Sequence, residues 1–176
     1  AKNKDIINLL DIGTGPGTIG LTLAKKTHKH VVCTDISFEA LRVAQLNAEN
    51  LDVDELTHFV CSDLFSAINN SKFDMILANL PYVASEEWDS IMVDVKDYEP
   101  RRALDGGAGG IEIYTRFIEA LPQHLKGHGY VLCEVGGCEQ QASKINKMLS
   151  TAGLTVVVKK DFCGHERVLK GSSTNL

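Results

Sequence analysis

Four consecutive residues, Asn79-Leu80-Pro81-Tyr82, combine groups suited to holding a planar nitrogen. The Asn79 side-chain carbonyl and the Pro81 backbone carbonyl are acceptors that can bind the two N–H hydrogens of an amide or exocyclic amine. Proline suits this task because its ring fixes φ and therefore the direction of its carbonyl. Tyr82 can pack its ring on the same plane and stabilise nearby cationic character. The tetrapeptide predicts chemistry on a nitrogen that is a poor nucleophile.

The turn Gly13-Thr14-Gly15-Pro16-Gly17 is a second candidate site, because glycines let the backbone come close to a ligand. Pro16 fits near a helix start, where its missing N–H costs little. Two cofactors compete for the turn. Gly15-x-Gly17-x-x-Gly20, with Asp35 about 20 residues further on to bind a ribose, matches the dinucleotide fingerprint and permits NAD.

Asp11 precedes the turn and favours the second candidate cofactor, S-adenosylmethionine, over NAD. A carboxylate at the tip of the first strand would face the anionic pyrophosphate of NAD. S-adenosylmethionine has no phosphate and carries an ammonium and a sulfonium, which a carboxylate attracts. Further along, Asp63 and Leu64 follow a predicted strand, where Asp63 can accept from the exocyclic amine of adenine and Leu64 can cover a face of the ring.

The composition predicts one soluble globular domain over residues 1–176, of which 44% are hydrophobic. No apolar run approaches the roughly 20 residues needed to span a bilayer, so we expect no membrane segment. The net charge of -5 argues against a general nucleic-acid binder, although a local basic patch such as Arg101-Arg102 stays open. We expect these two arginines to support the loop through Asp97, Glu99 or Asp105.

The five cysteines are odd in number and mostly lie in apolar runs, which predicts buried free thiols in a reducing compartment, the cytoplasm. We expect no signal peptide before the first strand. Neither the cysteines nor the six histidines show a metal-binding spacing, so we expect no metal.

Apolar runs and helical stripes alternate along the chain, which is typical of βαβ units. Strands are predicted at 6–12, 31–34, 59–61, 73–78 and 130–135, with a terminal hairpin at 155–159 and 167–170. Helices are predicted at 18–26, after Ser37 as N-cap to about residue 50, and on the apolar stripes of 113–121 and 142–152. The fold class is therefore α/β, a doubly wound, mostly parallel sheet of seven strands ending in an antiparallel hairpin. The stretch from 81 to 110 is predicted to be a functional loop.

Several motifs together resemble the class I S-adenosylmethionine-dependent methyltransferases. They are Asp11-Ile-Gly-Thr-Gly-Pro-Gly17, Asp35-Ile36-Ser37, Ser62-Asp63-Leu64-Phe65, Asn79-Leu-Pro-Tyr82, and Glu99-Pro-Arg-Arg-Ala-Leu-Asp-Gly-Gly107. The last of these is similar to the HemK-type N5-glutamine methyltransferases, which modify peptide chain release factors. The resemblance covers essentially the whole chain.

This resemblance implies a Rossmann-like fold and transfer of a methyl group to the glutamine of a Gly-Gly-Gln loop in a release factor, leaving S-adenosylhomocysteine. It implies catalytic roles for Asn79, Pro81 and Tyr82, with Leu80 also touching the substrate. It assigns the cofactor to the following residues: Asp11, Gly13, Thr14, Gly15, Pro16, Gly17, Asp35, Ile36, Asp63, Leu64 and Asn79.

Two departures from the family stand out. The family usually has proline where this chain has Leu80, and we expect altered packing there more than lost activity. The family also carries a helical N-terminal domain that helps to bind the release factor. Nothing in residues 1–176 corresponds to it, so we expect a further domain or a partner to supply that function.

Three alternative functions stay open. The Asn-x-Pro-Tyr motif is shared with adenine N6 methyltransferases of DNA or RNA, against which the acidic charge argues. A non-catalytic scaffold with this fold need not keep Asn79, Pro81 and Tyr82. An NAD-dependent oxidoreductase is the most distant alternative.

Overall fold

The computed structural model describes residues 8–90, 99–136 and 139–173. Within those ranges seven strands form one sheet in the spatial order β3-β2-β1-β4-β5-β7-β6. The strands in chain order are β1 (Leu9–Ile12), β2 (Val31–Asp35), β3 (Thr57–Cys61), β4 (Phe73–Ala78), β5 (Leu125–Glu134), β6 (Leu154–Lys160) and β7 (Glu166–Ser173). Strands β1 to β5 are parallel, and β7 runs antiparallel to both β5 and β6. The predicted mostly parallel sheet with its terminal hairpin is confirmed.

Helices connect most of the consecutive strands, whereas a segment without a helix joins β3 to β4. They are α1 (Thr18–Thr27), α2 (Phe38–Asn50), α3 (Arg101–Leu104), α4 (Glu112–His124) and α5 (Glu139–Thr151). Helix α1 begins directly after Gly17, whose φ of 90° favours glycine. Helix α2 begins after Ser37 as predicted, because the Ser37 hydroxyl accepts from the Ala40 N–H at 3.2 Å and satisfies a free donor.

The central strands are continuous apolar runs because they are buried on both faces of the sheet. All four residues of β1 are buried, since helices cover both faces of the sheet. The stripe predicted on α5 lies in this core, with Ala142, Ile145 and Leu149 fully buried. Strand β5 starts at Leu125, earlier than the predicted 130, and its pairing with β4 is irregular between Phe73 and Met75.

The cysteines divide into two groups. Cys33 and Cys133 are free and buried as predicted, and burial raises the pKa of each thiol to about 12. The prediction is wrong for Cys61 and Cys163, which are exposed at the end of β3 and in the turn between β6 and β7. Cys138 lies outside the described residues.

The predicted loop from 81 to 110 contains short ordered pieces in its described part. Turns of 3₁₀ helix form at Ser85–Ser90 and Ala108–Gly110, and Val83 pairs with Asp105 in an isolated bridge. Asp105 accepts from the Ser85 hydroxyl at 2.5 Å and from the Gly107 N–H at 3.1 Å, and these bonds lower its pKa. Residues 91–98, including Asp97, lie outside the described residues. Among the described helices, none has the length and apolar character to cross a membrane.

Candidate active site

The carboxyl ends of β1, β2 and β4 open into one cavity of about 510 Å³. This is where ligands bind in open α/β sheets, and the volume lies in the range of small-molecule sites. Eight predicted cofactor residues line it: Gly13, Gly15, Pro16, Asp35, Ile36, Asp63, Leu64 and Asn79. Leu80 and Pro81 line the same cavity, so the structure brings the two candidate sites together.

Asp35 organises the cavity wall formed by the glycine turn. One of its carboxylate oxygens accepts from the Gly15 N–H at 2.9 Å, and the other accepts from the Ser37 N–H at 2.8 Å. The turn is also tied to β2 by the Thr14 N–H, which donates to the Thr34 carbonyl at 2.9 Å. Each carboxylate oxygen has two lone pairs, so Asp35 retains acceptor capacity for the hydroxyls of a ligand.

Asp11 lies behind the turn rather than in the lining of the cavity, and only 1% of its surface is exposed. Its Oδ2 atom accepts from the Thr14 hydroxyl at 2.6 Å and from the Gly20 N–H at 2.9 Å. Burial raises the pKa of Asp11 from its usual 3.8 to about 6, more than these two bonds lower it. Asp11 and Thr14 therefore shape the turn, and their contact with a cofactor stays a prediction.

Asp63, the predicted adenine acceptor, is paired with a cation that the sequence did not indicate. The Arg116 Nη2 atom donates to Asp63 Oδ2 at 2.6 Å, and both residues line the cavity. The two positions are 53 residues apart, so the pair becomes visible only in the fold, where α4 packs against the segment after β3 through Phe117 and Phe65. The second Asp63 oxygen has no partner among the described residues.

Asn79 and Pro81 have the free acceptors that their predicted role requires. The exposed Asn79 side chain forms no hydrogen bond with other described residues, and the same holds for the Pro81 carbonyl. Leu80 between them is buried, with 3% of its surface exposed, and anchors the segment in the core. Anchoring the middle residue leaves the two flanking acceptors in the cavity.

Tyr82 follows Pro81 and is not among the residues that line the cavity. Its ring packs against Gly136, where an added Cβ would come within 2.6 Å of the ring. Its carbonyl accepts from the Gln141 Nε2 atom at 2.6 Å, and Gln141 also donates to the Gly110 carbonyl. A role for the Tyr82 ring at the substrate stays a prediction.

The two arginines of α3 have different surroundings. Arg101 donates to Asp105 at 3.0 Å and lies over the Trp88 ring, which confirms the predicted structural role through Asp105. Arg102 instead lines the cavity, together with Pro100 and Ala103. The segment around α3 in the long loop therefore forms one wall of the candidate site.

Comparison with known proteins decides the family. Residues 2–96 match the family described as Methyltransferase small domain. The chain belongs to this family. A solved structure, the ribosomal protein L11 methylase from Lactobacillus delbrueckii subsp. bulgaricus, superposes with a TM-score of 0.71 at 22% identity, covering 99% of this chain and 73% of that one. This likeness confirms the class I methyltransferase fold.

Two curated relatives of this chain are named release factor glutamine methyltransferase. The protein from Clostridium acetobutylicum is 35% identical over 163 residues, covering 90% of this chain and 56% of the relative. The protein from Koribacter versatilis is 45% identical over 130 residues, covering 73% of this chain and 46% of the relative. The chain thus spans about half the length of these relatives.

Membership of a methyltransferase family decides between the two cofactors in favour of S-adenosylmethionine, with S-adenosylhomocysteine as product. The residues present fit this group. Two carboxylates, Asp35 and Asp63, line the cavity and offer oxygens that can accept hydrogen bonds from ligand hydroxyls and an amine. The buried Asp11 adds negative charge behind the turn.

Proposed function

We propose that residues 1–176 form one methyltransferase domain that modifies the side-chain amide nitrogen of a glutamine in the Gly-Gly-Gln loop of a peptide chain release factor. The observation that carries this proposal is the shared cavity. Asn79 and Pro81, with their free acceptors, line the same space as Gly15 and Asp35. The names of the similar relatives support the substrate, and the free cysteines agree with a cytoplasmic setting.

S-adenosylmethionine supplies an electrophilic methyl group carried on a sulfonium. An amide nitrogen is a poor nucleophile because its lone pair is delocalised, so the protein must position it accurately. Asn79 Oδ1 and the Pro81 carbonyl accept the two N–H hydrogens and aim the nitrogen along the line of attack. Transfer would form the new N–C bond and break the bond between the methyl carbon and the sulfonium sulfur, which would leave S-adenosylhomocysteine. The methylated nitrogen is then acidic and its proton leaves to solvent, so no general base is needed.

The experiment is transfer of a labelled methyl group to a purified release factor, with the modified residue located by mass spectrometry. Label on the Gly-Gly-Gln glutamine, lost in Asn79→Ala and kept in Asn50→Ala, supports the proposal. Asn50 is a matched control because it is an exposed asparagine at the end of α2, away from the cavity.

The affinity for S-adenosylhomocysteine separates the role of Asn79 from a defect in folding. Asn79→Ala should lower turnover far more than it weakens this affinity, because its proposed acceptor holds the substrate. Equal losses in both would contradict the assignment. If the wild-type chain binds the cofactor tightly but transfers no methyl group, the chain does not methylate a release factor by itself. The search for its substrate would then turn to nucleic acid or to a partner domain.

A further inference from the structure

Tyr114 of α4 places a single hydroxyl among three backbone groups. Its Oη atom lies 2.5 Å from the Glu134 carbonyl oxygen, 3.2 Å from the Ala78 carbonyl oxygen and 3.4 Å from the Leu80 nitrogen. The side chain is fully buried, and its ring meets Phe117 edge to face. A buried hydroxyl with this many partners is a fixed structural point.

These three groups lie where two neighbouring strands end. Ala78 is the last residue of β4 in register with β5, opposite Cys133, and Glu134 is the last residue of β5. Ala78 and Cys133 are the last paired residues of these two strands among those that the structure describes. The Tyr114 hydroxyl bridges them at this point, donating its proton to a carbonyl and accepting the Leu80 N–H.

The bridge also holds the backbone on both sides of Asn79, since Ala78 precedes it and Leu80 follows it. The contact with Leu80 depends on the residue type. In the HemK-type family that this chain resembles, proline usually occupies this position. Proline has no N–H and could not donate to Tyr114. This chain therefore has a hydrogen bond next to Asn79 that a proline would remove.

We propose that the Tyr114 hydroxyl is a positioning group that fixes the backbone around Asn79 and so directs the Asn79 and Pro81 oxygens toward the substrate nitrogen. This proposal rests on the proposed function for its effect on turnover. Its effect on the backbone is independent of any substrate. Burial also raises the pKa of Tyr114 well above its ordinary value, so the hydroxyl keeps its proton across the working pH range.

The test is Tyr114→Phe, which keeps the ring and removes only the oxygen. Hydrogen exchange of the amides at 79–83 should become faster in the variant, because the Leu80 N–H and the adjoining strand ends lose their partner. With a release factor as substrate, kcat should fall at least about tenfold, since small displacements of positioning groups are costly. KM and the affinity for S-adenosylhomocysteine should stay within about twofold of wild type.

Ile145→Val is the matched control for lost stability, because Ile145 is fully buried on α5 in the same core and the change removes one methyl group. It should leave both the exchange at 79–83 and kcat unchanged. Equal exchange at 79–83 in wild type and Tyr114→Phe overturns the proposal, as does a kcat loss that Ile145→Val shares. A wild-type chain that does not methylate a release factor rejects the proposed function, and the exchange comparison still decides the role of Tyr114.

Discussion

Asp35 joins the glycine turn to the start of α2 through one carboxylate that also faces the cavity. We expect Asp35→Ala to weaken S-adenosylhomocysteine binding roughly tenfold or more, because hydrogen bonds to a charged group contribute about 1.5–3 kcal/mol. Titration calorimetry measures this directly. Asp54→Ala, which removes the same charge from the exposed turn before β3, should not change the affinity. Unchanged affinity in Asp35→Ala would refute the ribose assignment.

Arg116 and Asp63 should contribute unequally to cofactor binding. Their side chains are 53% and 44% exposed, and ion pairs in such positions contribute about 0–1 kcal/mol. We therefore expect Arg116→Ala to change the affinity for S-adenosylhomocysteine less than about fivefold. Asp63→Ala should weaken it more, because it removes the proposed acceptor for the adenine amine. A larger loss from Arg116→Ala would mean that the arginine itself contacts the cofactor.

The turn between β1 and α1 depends on a buried carboxylate, and its stability should therefore depend on pH. Asp11 keeps its proton up to about pH 6 in the folded chain and loses it near 3.8 when unfolded. Between these values the folded state binds more protons, so stability falls as pH rises. The whole effect is about 3 kcal/mol at about 1.4 kcal/mol per pKa unit.

Asp11→Asn is the variant that isolates this effect, because its amide oxygen can still accept from Thr14 and Gly20. The free energy of unfolding of wild type relative to Asp11→Asn should decrease between pH 4 and pH 7 and level off above it. Denaturant unfolding at several pH values measures the difference. A pH-independent difference would show that Asp11 is ionised throughout.

The loop after Pro81 passes close to the Gly106 backbone. A Cβ added at Gly106 would lie 2.6 Å from the Pro81 carbonyl oxygen, which is one of the two proposed acceptors. Gly106→Ala should therefore lower methyl transfer by displacing that oxygen. Gly153→Ala is the control, because its φ of 88° strains the variant but no atom lies within 4 Å of the new Cβ. It should lower the melting temperature without changing turnover, and equal turnover in both variants would remove the argument for Pro81.

Elements with a local signal were predictable from the sequence. Ser37 marks the start of α2 through its own hydroxyl, and the stripe of 142–152 marks the buried face of α5. Contacts between distant positions were not predictable in this way. The Arg116–Asp63 pair and the Gln141–Tyr82 bond join residues 53 and 59 positions apart, and their formation depends on how α4 and α5 pack on the sheet.

At the scale of the molecule, the cavity joins elements from across the chain, from the turn after β1 to Arg116 of α4. The glycine turn and Asn79 could be placed on one edge from the sequence because parallel strands end at the same side of a sheet. The exposure of Cys61 could not, since a short apolar run does not show whether its last residue still lies under a helix. Cys163 is exposed because it lies in the turn of the predicted hairpin, between β6 and β7.

The net charge of -5 gives the last prediction, which separates protein from nucleic acid as substrate. A chain that binds nucleic acid without sequence preference must neutralise phosphates with clustered cations. At the cavity, Arg102 has Arg101 as its neighbour, but Arg101 is already paired with Asp105. We expect no saturable binding to single-stranded or duplex oligonucleotides below about 100 μM, measured by fluorescence anisotropy at two salt concentrations. Binding that weakens steeply with salt would instead favour adenine as the acceptor, because the same Asn-x-Pro-Tyr acceptors can hold an exocyclic amine.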